Sequence, residues 1–165
     1  MRKTNKGFTL VELVVVIAII GVLAAILVPS MLTYVKKARL KTANGNAKTA
    51  YNAAAEYVAD AQIQGTTLAS ALKDFGTTAV DAKQSSCANA GDEVVAEVLR
   101  ENDGEAGYFL VKEAKINGKD SFFVQWKKGK DDEIFGQYPN AIQWKDAKGG
   151  KLKFGTYNGK AASTT

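Results

Sequence analysis

Glu12 is the only charged residue in an apolar stretch that runs from residue 8 to residue 28. A lone carboxylate deep in a membrane helix costs at least about 2.5 kcal/mol, and less where it lies near the interface. In a helix, residue 12 lies one turn beyond residue 8 on the same face, and the positive end of the helix dipole favours an anion there. A simple membrane anchor needs no such residue, so Glu12 is the first candidate for a functional role.

A second group of carboxylates could supply oxygen ligands for calcium, namely Asp131, Asp132 and Glu133 with Asp120 and Asp146. Lysines flank the consecutive acids, however, and the spacing is not that of a dedicated calcium loop. We therefore expect a solvated turn and no cofactor, with calcium as the alternative.

The 165 residues include no histidine and a single cysteine, Cys87. These counts exclude Ser-His-Asp and Cys-His nucleophiles, histidine metal sites and an intrachain disulfide. The sequence also has no glycine-rich phosphate loop, paired-cysteine motif or nucleophile elbow. We predict that the protein is not an enzyme, and we expect Cys87 to be a small residue that is buried or half-buried.

The apolar stretch has the length of a membrane span. Its residues, 8–28, cover about 31 Å as a helix, and a bilayer core is about 30 Å thick. The preceding Arg2, Lys3 and Lys6 predict a single pass with the N-terminus in the cytoplasm and the rest of the chain outside. From the residues alone, the stretch fits a secretory signal cleaved near Ala24 and Ala25, or a plain anchor.

The net charge of +5 comes from 22 basic and 17 acidic residues. Three of the basic residues precede the apolar stretch, and without them the balance is 19 against 17, or +2. Much of the basic character is therefore a topology signal, and a nucleic-acid partner is not indicated.

A resemblance to the processing site of type IV prepilins and pseudopilins lies in residues 6–12, which read KGFTLVE. The resemblance implies that residues 1–7 are a leader, that a prepilin peptidase cuts after Gly7, and that Phe8 is then N-methylated. Because the cut falls before the apolar stretch, residues 8–29 would stay in the mature protein as a transmembrane helix and filament core. Residues 30–165 would form the head, including the second half of the long helix.

The same resemblance implies roles for individual residues of the helix. In the family, a glutamate at the position of Glu12 neutralises the N-terminal amine of a neighbouring subunit, here that of Phe8. Such a pair would set the register of assembly, because both charges are poorly solvated. Thr9 would be an auxiliary hydrogen bonder, and Gly21 and Pro29 match the family's curved helix, so we expect a kink at Pro29.

The fold class expected is α+β, with the long N-terminal helix packed on a small antiparallel sheet of about four strands. Apolar residues at steps of three and four predict that the helix continues from residue 30 to about residue 61. Gly65 closes it, and Thr67 caps a short helix through Phe75. Residues 76–92 indicate a loop, followed by a helix from residue 92 to residue 100 that buries Val94, Val95, Val98 and Leu99.

Two hairpins are predicted in the second half of the chain. The first turns at Asn117-Gly118, and its register pairs Phe109 with Trp126, Val111 with Val124, and Lys115 with Asp120. The apolar members share one face with Phe122, which we expect to pack on the helix. The second hairpin runs from residue 141 to residue 155, with Ile142, Trp144, Leu152 and Phe154 on one face. The family often clamps its C-terminal loop with two cysteines, so here other contacts must hold it.

The function implied is that of a structural subunit of a type IV pilus filament. The partners implied are the prepilin peptidase, the pilus assembly machinery of the cytoplasmic membrane, the lipid bilayer before assembly, and other subunits in a homopolymer. The precursor would lie in the cytoplasmic membrane and the mature protein in a surface filament. The alternatives are a pseudopilin of a type II secretion or competence system and a membrane-anchored binding protein that does not polymerise.

Overall fold

The computed structural model describes residues 7–102 and 106–159. The predicted leader, apart from Gly7, lies outside the described residues. The chain divides into two compact units, residues 1–37 and 38–165. The predicted domain boundary after residue 29 stays a prediction.

The first unit consists of the beginning of helix α1, which runs from Leu10 to Ile63. The helix is long and apolar enough to cross a membrane by its length and composition. It is helical through both Gly21 and Pro29. Pro29 has no N–H to donate, and Ser30 Oγ donates to the carbonyl of Leu27 at 2.9 Å in the same turn. The kink at Pro29 stays a prediction.

The second unit begins with the rest of α1, and most of the residues on its buried side are alanines. This side includes Leu40, Ala43, Ala47, Ala50, Ala54 and Val58. Small side chains let other elements approach the helix closely. The helix continues through Asn44-Gly45-Asn46 and is followed by Gly65, whose φ is +88°. Glycine adopts this left-handed conformation without steric cost, which explains the end of the helix there.

Three short helices follow α1. Helix α2, Leu68–Ala71, is capped by the side chain of Thr67, which accepts a hydrogen bond from the N–H of Ser70, and a 3-10 turn, Leu72–Asp74, continues it. This confirms the predicted cap. Helix α3 spans Ala90–Glu101 and α4 spans Trp144–Ala147. In α3, Val95 and Leu99 are buried as predicted, but Val94 is 37% exposed, so its predicted burial is wrong.

The sheet has four antiparallel strands in the order β1-β2-β3-β4. Their bounds are Val80–Asp81, Tyr108–Ile116, Lys119–Lys127 and Phe135–Tyr138. The predicted register of the β2–β3 hairpin is confirmed in all three pairs. Asn117 and Gly118 both have positive φ, +52° and +77°, as a tight hairpin turn requires. The predicted fold class is also confirmed, including the number of strands.

The main core lies between the alanine side of α1 and one face of the sheet. Its sheet residues are Phe109, Val111, Phe122, Val124 and Trp126, the same five that the register predicts. Tyr51 of α1 stacks on Phe122 with ring centroids 4.7 Å apart. The N–H of the Trp126 ring donates to the carbonyl of Ala106 at 2.9 Å, so the buried indole has a partner.

The predicted second hairpin is wrong. Residues 141–155 contain α4 and no strand, and the fourth strand is Phe135–Tyr138 instead. The segment at Trp144–Ala147 has no β-branched residue and forms a helical turn, and β1 lies within the predicted loop 76–92. The four apolar residues assigned to that hairpin nevertheless gather in a second core cluster, with Leu40 and Phe135. They do so from a loop and a short helix.

Candidate assembly site at the N-terminal helix

The first turn of α1 forms a reciprocal hydrogen-bonded pair between Thr9 and Glu12. The N–H of Thr9 donates to Glu12 Oε2 at 2.8 Å, and the Thr9 hydroxyl donates to the same oxygen at 2.7 Å. The N–H of Glu12 lies 3.3 Å from Thr9 Oγ1. This is the capping box, in which the residue before the helix and the third helical residue satisfy each other's free backbone donors. The structure therefore gives Thr9 and Glu12 one shared role in starting the helix.

Gly7 and Phe8 lie immediately before this pair, in an exposed and non-helical segment. Gly7 has no neighbouring atom within 4 Å of where a side chain would begin, so the peptide bond after it is open to approach. The nitrogen of Phe8 is a peptide nitrogen as long as residue 7 precedes it. A cut at this bond is what would turn it into a cationic amine one turn from Glu12.

The helix beyond this site presents apolar side chains on every side. All residues from Gly7 to Tyr34 are exposed, including Phe8 at 83%, Leu10 at 77% and Ile26 at 70%. Soluble monomers rarely expose a continuous apolar surface of this size. Gly21 and Pro29 lie within this surface, so the structure places every predicted residue of the helix in one exposed element.

The residues that hold the C-terminal segment were not identified from the sequence. Gln125 of β3 and Gln137 of β4 lie opposite each other, and Gln125 Nε2 donates to Gln137 Oε1 at 2.9 Å. Gln125 also accepts from the N–H of Gly155 at 2.6 Å and donates to the carbonyl of Thr156 at 2.8 Å. Gln137 Oε1 accepts from the N–H of Asn158 at 2.9 Å.

A third amide extends this network to α1. Asn44 Oδ1 accepts from the N–H groups of Gln137 and Ile142, each at 3.1 Å, and Asn44 Nδ2 donates to the carbonyl of Ile142 at 2.9 Å. These contacts agree with the expectation that something other than a cysteine pair holds the C-terminal loop. The available signals were a glutamine between Val124 and Trp126 and an asparagine in mid-helix. Neither pattern indicates a partner by itself.

Cys87 is half-buried, as expected, and its surroundings make it a poor nucleophile. Burial raises the pKa of the thiol to about 11, and the hydrogen bond to Glu93 acts in the same direction. The reactive form of cysteine is the thiolate, and at neutral pH very little is present. The thiol therefore offers no activated nucleophile.

Among the acids considered as calcium ligands, Asp146 is half-buried and the others, Asp120, Asp131, Asp132 and Glu133, are exposed. Asp132 Oδ2 accepts from the N–H of Gly129 at 2.9 Å, which is a turn contact of the kind expected for these acids. Among residues 7–102 and 106–159, no group of three or more acidic or cysteine side chains is arranged to hold a metal ion. The question of calcium stays open to measurement.

An open cleft of about 680 Å³ lies beside the C-terminal segment, lined by Asn140, Gln143 and Tyr157 among others.

Comparison with known proteins concerns mainly the N-terminal site. A family profile described as the prokaryotic N-terminal methylation motif matches residues 2–28. The fimbrial protein EcpC of Eikenella corrodens is 43% identical over 60 residues, which are 36% of this chain and 39% of the relative. The N-terminal region of the chain is similar to that of type IV pilins and their precursors. The resemblance noted in residues 6–12 is thereby confirmed.

Two further relatives show how far the likeness to type IV pilins extends. The type IV major pilin protein PilA of Myxococcus xanthus is 45% identical over 49 residues, 30% of this chain and 22% of the relative. A type IV major fimbrial protein FimA of Dichelobacter nodosus is 34% identical over 106 residues, 64% of this chain and 51% of the relative. The chain thus matches between about a fifth and a half of these relatives. No solved structure matches it significantly.

Proposed function

We propose that this chain is a structural subunit of a type IV pilus filament. A prepilin peptidase cuts between Gly7 and Phe8 and methylates the new amine of Phe8. Before assembly, the mature subunit is anchored in the cytoplasmic membrane as a single-pass protein with its N-terminus on the cytoplasmic side. The pilus assembly machinery then moves it into a homopolymer, with its N-terminal helix in the filament core and its head on the surface.

The observation that carries the proposal is the exposed apolar surface of α1. No residue between Gly7 and Tyr34 is buried, and the helix is long enough to span a bilayer. Lipid can cover this surface before assembly and other copies of the same helix can cover it afterwards. When a subunit leaves the membrane, contacts with other copies of the helix must replace its contacts with lipid. Polymerisation is therefore the physical consequence of export.

Glu12 supplies the specificity that apolar packing lacks. Apolar contacts between helices are compatible with many axial positions. An ion pair in a low-dielectric environment is compatible with only one axial position, because leaving either charge unpaired costs far more free energy than shifting an apolar contact. The carboxylate of Glu12 and the amine of Phe8 in a neighbouring copy would therefore select one stagger. Thr9 holds the carboxylate in place at 2.7 Å until that partner arrives.

The proposed role is structural and not catalytic. Among the candidate groups, Asp132 and Glu93 accept hydrogen bonds that belong to the fold, and Cys87 is held in an unreactive form. The role of a filament subunit needs none of them.

The deciding experiment is mass spectrometry of the N-terminal peptide, taken from filaments sheared off the surface of native cells. We expect a chain that begins at Phe8 and carries one methyl group on its amine. A chain that begins near Ala25 would identify a secreted protein and overturn the proposal. Methylated Phe8 found only in the membrane fraction would instead indicate a pseudopilin, which forms short assemblies inside the envelope.

A further inference from the structure

Four cations lie within six residues of α1, just beyond the apolar stretch. We call Lys36, Lys37, Arg39 and Lys41 the basic segment. All four side chains are exposed, and among the described parts of the chain none of them has an ion-pair partner. Lys37 and Lys41 are four residues apart, a spacing at which like charges destabilise a helix. The basic segment thus lowers the stability of the helix, and no ion pair among the described residues of one copy offsets this repulsion.

An acidic pair lies further along the same helix, at Glu56 and Asp60. These carboxylates are also four residues apart, both are exposed, and the described residues offer neither of them a cation. The repulsion between them is again unfavourable for the helix. The acidic pair and Lys41 lie on the side of α1 opposite to Ala43, Ala47 and Ala54, the side that faces away from the core.

Arg39 and Lys41 cannot reach the acidic pair within one copy. Glu56 lies 17 residues after Arg39, and Asp60 lies 19 residues after Lys41, in one continuous helix. At a rise of 1.5 Å per residue these separations are about 25 and 28 Å. Lys48, the cation between them, has its Nζ 5.8 Å from the centre of the Tyr138 ring and so lies against the head.

A second copy of the chain removes this difficulty. Parallel copies of α1 that are offset along their axis bring the basic segment of one copy level with the acidic pair of another when the offset is about 25–28 Å. The pair between Glu12 and Phe8 implies a smaller offset of about 6 Å, one helical turn, to a different neighbour. A helical polymer places copies at successive multiples of its rise, so both offsets can occur in one filament.

We propose that the acidic pair, Glu56 and Asp60, binds the basic segment of a second copy of this chain, the one offset by four to five steps of the Glu12 register. The proposal rests on the proposed function, since it requires parallel copies of α1. It adds a second, electrostatic contact above the apolar core. This contact is favoured by the opposite charges of the two groups and relieves the repulsion within each.

Charge reversal tests the pairing in pilus-producing cells that express the full chain. One variant carries Glu56→Lys and Asp60→Lys, a second carries Arg39→Glu and Lys41→Glu, and a third carries all four changes. We expect each double variant to yield about tenfold fewer sheared filaments at equal cellular protein, because like charges then face each other. The fourfold variant restores opposite charges and should recover yield to within about threefold of the unaltered chain.

The matched control is a double change of Glu97→Lys and Glu101→Lys in α3. These acids are likewise exposed and four residues apart on a helix, and their reversal changes the net charge by the same amount. The control should leave the filament yield unchanged. If it lowers the yield as the α1 variants do, any reversal of helix acids is sufficient and the specific pairing is wrong.

The remaining outcomes separate this inference from the proposed function. If the reversal of the basic segment alone lowers the yield and the fourfold variant stays low, the basic segment contacts anionic lipid and the pairing is overturned. If all variants form filaments at the unaltered level, the pairing is also overturned while the filament remains. If the unaltered chain itself forms no sheared filaments, both proposals fail.

Discussion

Gln125 and Gln137 pair through their side-chain amides at 2.9 Å across two neighbouring strands, and both side chains are fully buried. They lie on the sheet face opposite to Val124 and Trp126, where the C-terminal segment crosses the sheet. Buried amides are costly unless every donor and acceptor has a partner. Gln137 Nε2 donates to the carbonyls of Pro139 and Asn140, and the other partners of the pair are backbone groups of residues 155–158, so both amides are fully satisfied only if that segment is in place.

Replacing Gln125 by leucine should release the C-terminal segment. The change leaves the N–H of Gly155 and the carbonyl of Thr156 without their buried partner, which costs about 1–3 kcal/mol. The measurement is urea unfolding of the detergent-solubilised chain, followed by the fluorescence of Trp126 and Trp144, together with limited proteolysis of the segment. Gln62→Leu, at an exposed position of α1, is the control. Equal stability of the two variants would contradict the assigned role of the amide.

Substitution of Gly136 by alanine should be strongly destabilising. A Cβ at this position would lie 2.0 Å from the carbonyl carbon of Ala43 and 2.2 Å from the nitrogen of Asn44. Both atoms are helix backbone, so the strand and α1 would have to move apart, at a cost of about 1–3 kcal/mol or more. The lowered midpoint of thermal unfolding would report this loss.

Gly45→Ala is the matched control for that change, because it alters α1 one residue beyond Asn44. No atom lies within 4 Å of the added Cβ, and alanine favours a helix over glycine by about 1 kcal/mol. Gly45→Ala should therefore preserve or raise the midpoint. If Gly136→Ala did the same, the close approach of β4 to the helix would be wrong.

The sequence predicted those parts of the fold that depend on local patterns. The β2–β3 hairpin follows from alternating apolar residues around Asn117-Gly118, and the N-terminal site follows from a short motif. The fourth strand could not be predicted in the same way. Phe135–Tyr138 is four residues long and contains Gly136, whose lack of a side chain is needed for contact with α1 and is unfavourable for a strand.

The apolar residues of the wrongly predicted hairpin illustrate the same limit. Ile142, Trp144, Leu152 and Phe154 are buried or half-buried in one cluster, so their grouping was correct. Periodicity over so few residues does not distinguish a strand from a loop with a helical turn. The additional information lies in Asn44, which is 98 residues away in the sequence. Its side chain forms hydrogen bonds with both the N–H and the carbonyl of Ile142.

The pair of Glu93 with Arg100 predicts how head stability depends on pH. The hydrogen bond from Arg100, followed by that from the N–H of Cys87, holds the pKa of Glu93 below its ordinary value of 4.5. A carboxyl whose pKa is lowered by folding contributes stability above its unfolded pKa, and this stability is lost as the pH falls through the folded pKa. Burial raises the pKa of the adjacent Asp92, which gives the opposite dependence.

Glu93→Gln isolates the first of these two effects, because Asp92 is present in both chains. We expect the variant to unfold at a lower temperature than the unaltered chain at about pH 7, and the difference to shrink as the pH falls through the lowered pKa of the folded Glu93. Circular dichroism of the detergent-solubilised chain at several pH values measures both. A difference that stayed constant with pH would show that the charge of Glu93 does not matter.

The capping role of Glu12 and its proposed role in assembly can be distinguished by two substitutions at that one position. Glutamine keeps an oxygen that can accept hydrogen bonds from Thr9, as Glu12 Oε2 does at 2.8 and 2.7 Å, but it carries no charge. Alanine removes both the cap and the charge. If the carboxylate acts by neutralising the amine of Phe8 in a neighbouring copy, both variants should lose sheared filaments while the precursor still accumulates in the membrane. If Glu12 only starts the helix, Glu12→Gln should assemble nearly as well as the unaltered chain, and Thr9→Ala should be as deficient as Glu12→Ala.

The comparison is made on sheared filaments and on membrane protein from the same cells, so that a loss of assembly is distinguished from a loss of the chain. Filaments at the unaltered level from Glu12→Gln would remove the charge from the account of assembly and leave the capping box as the whole function of the residue.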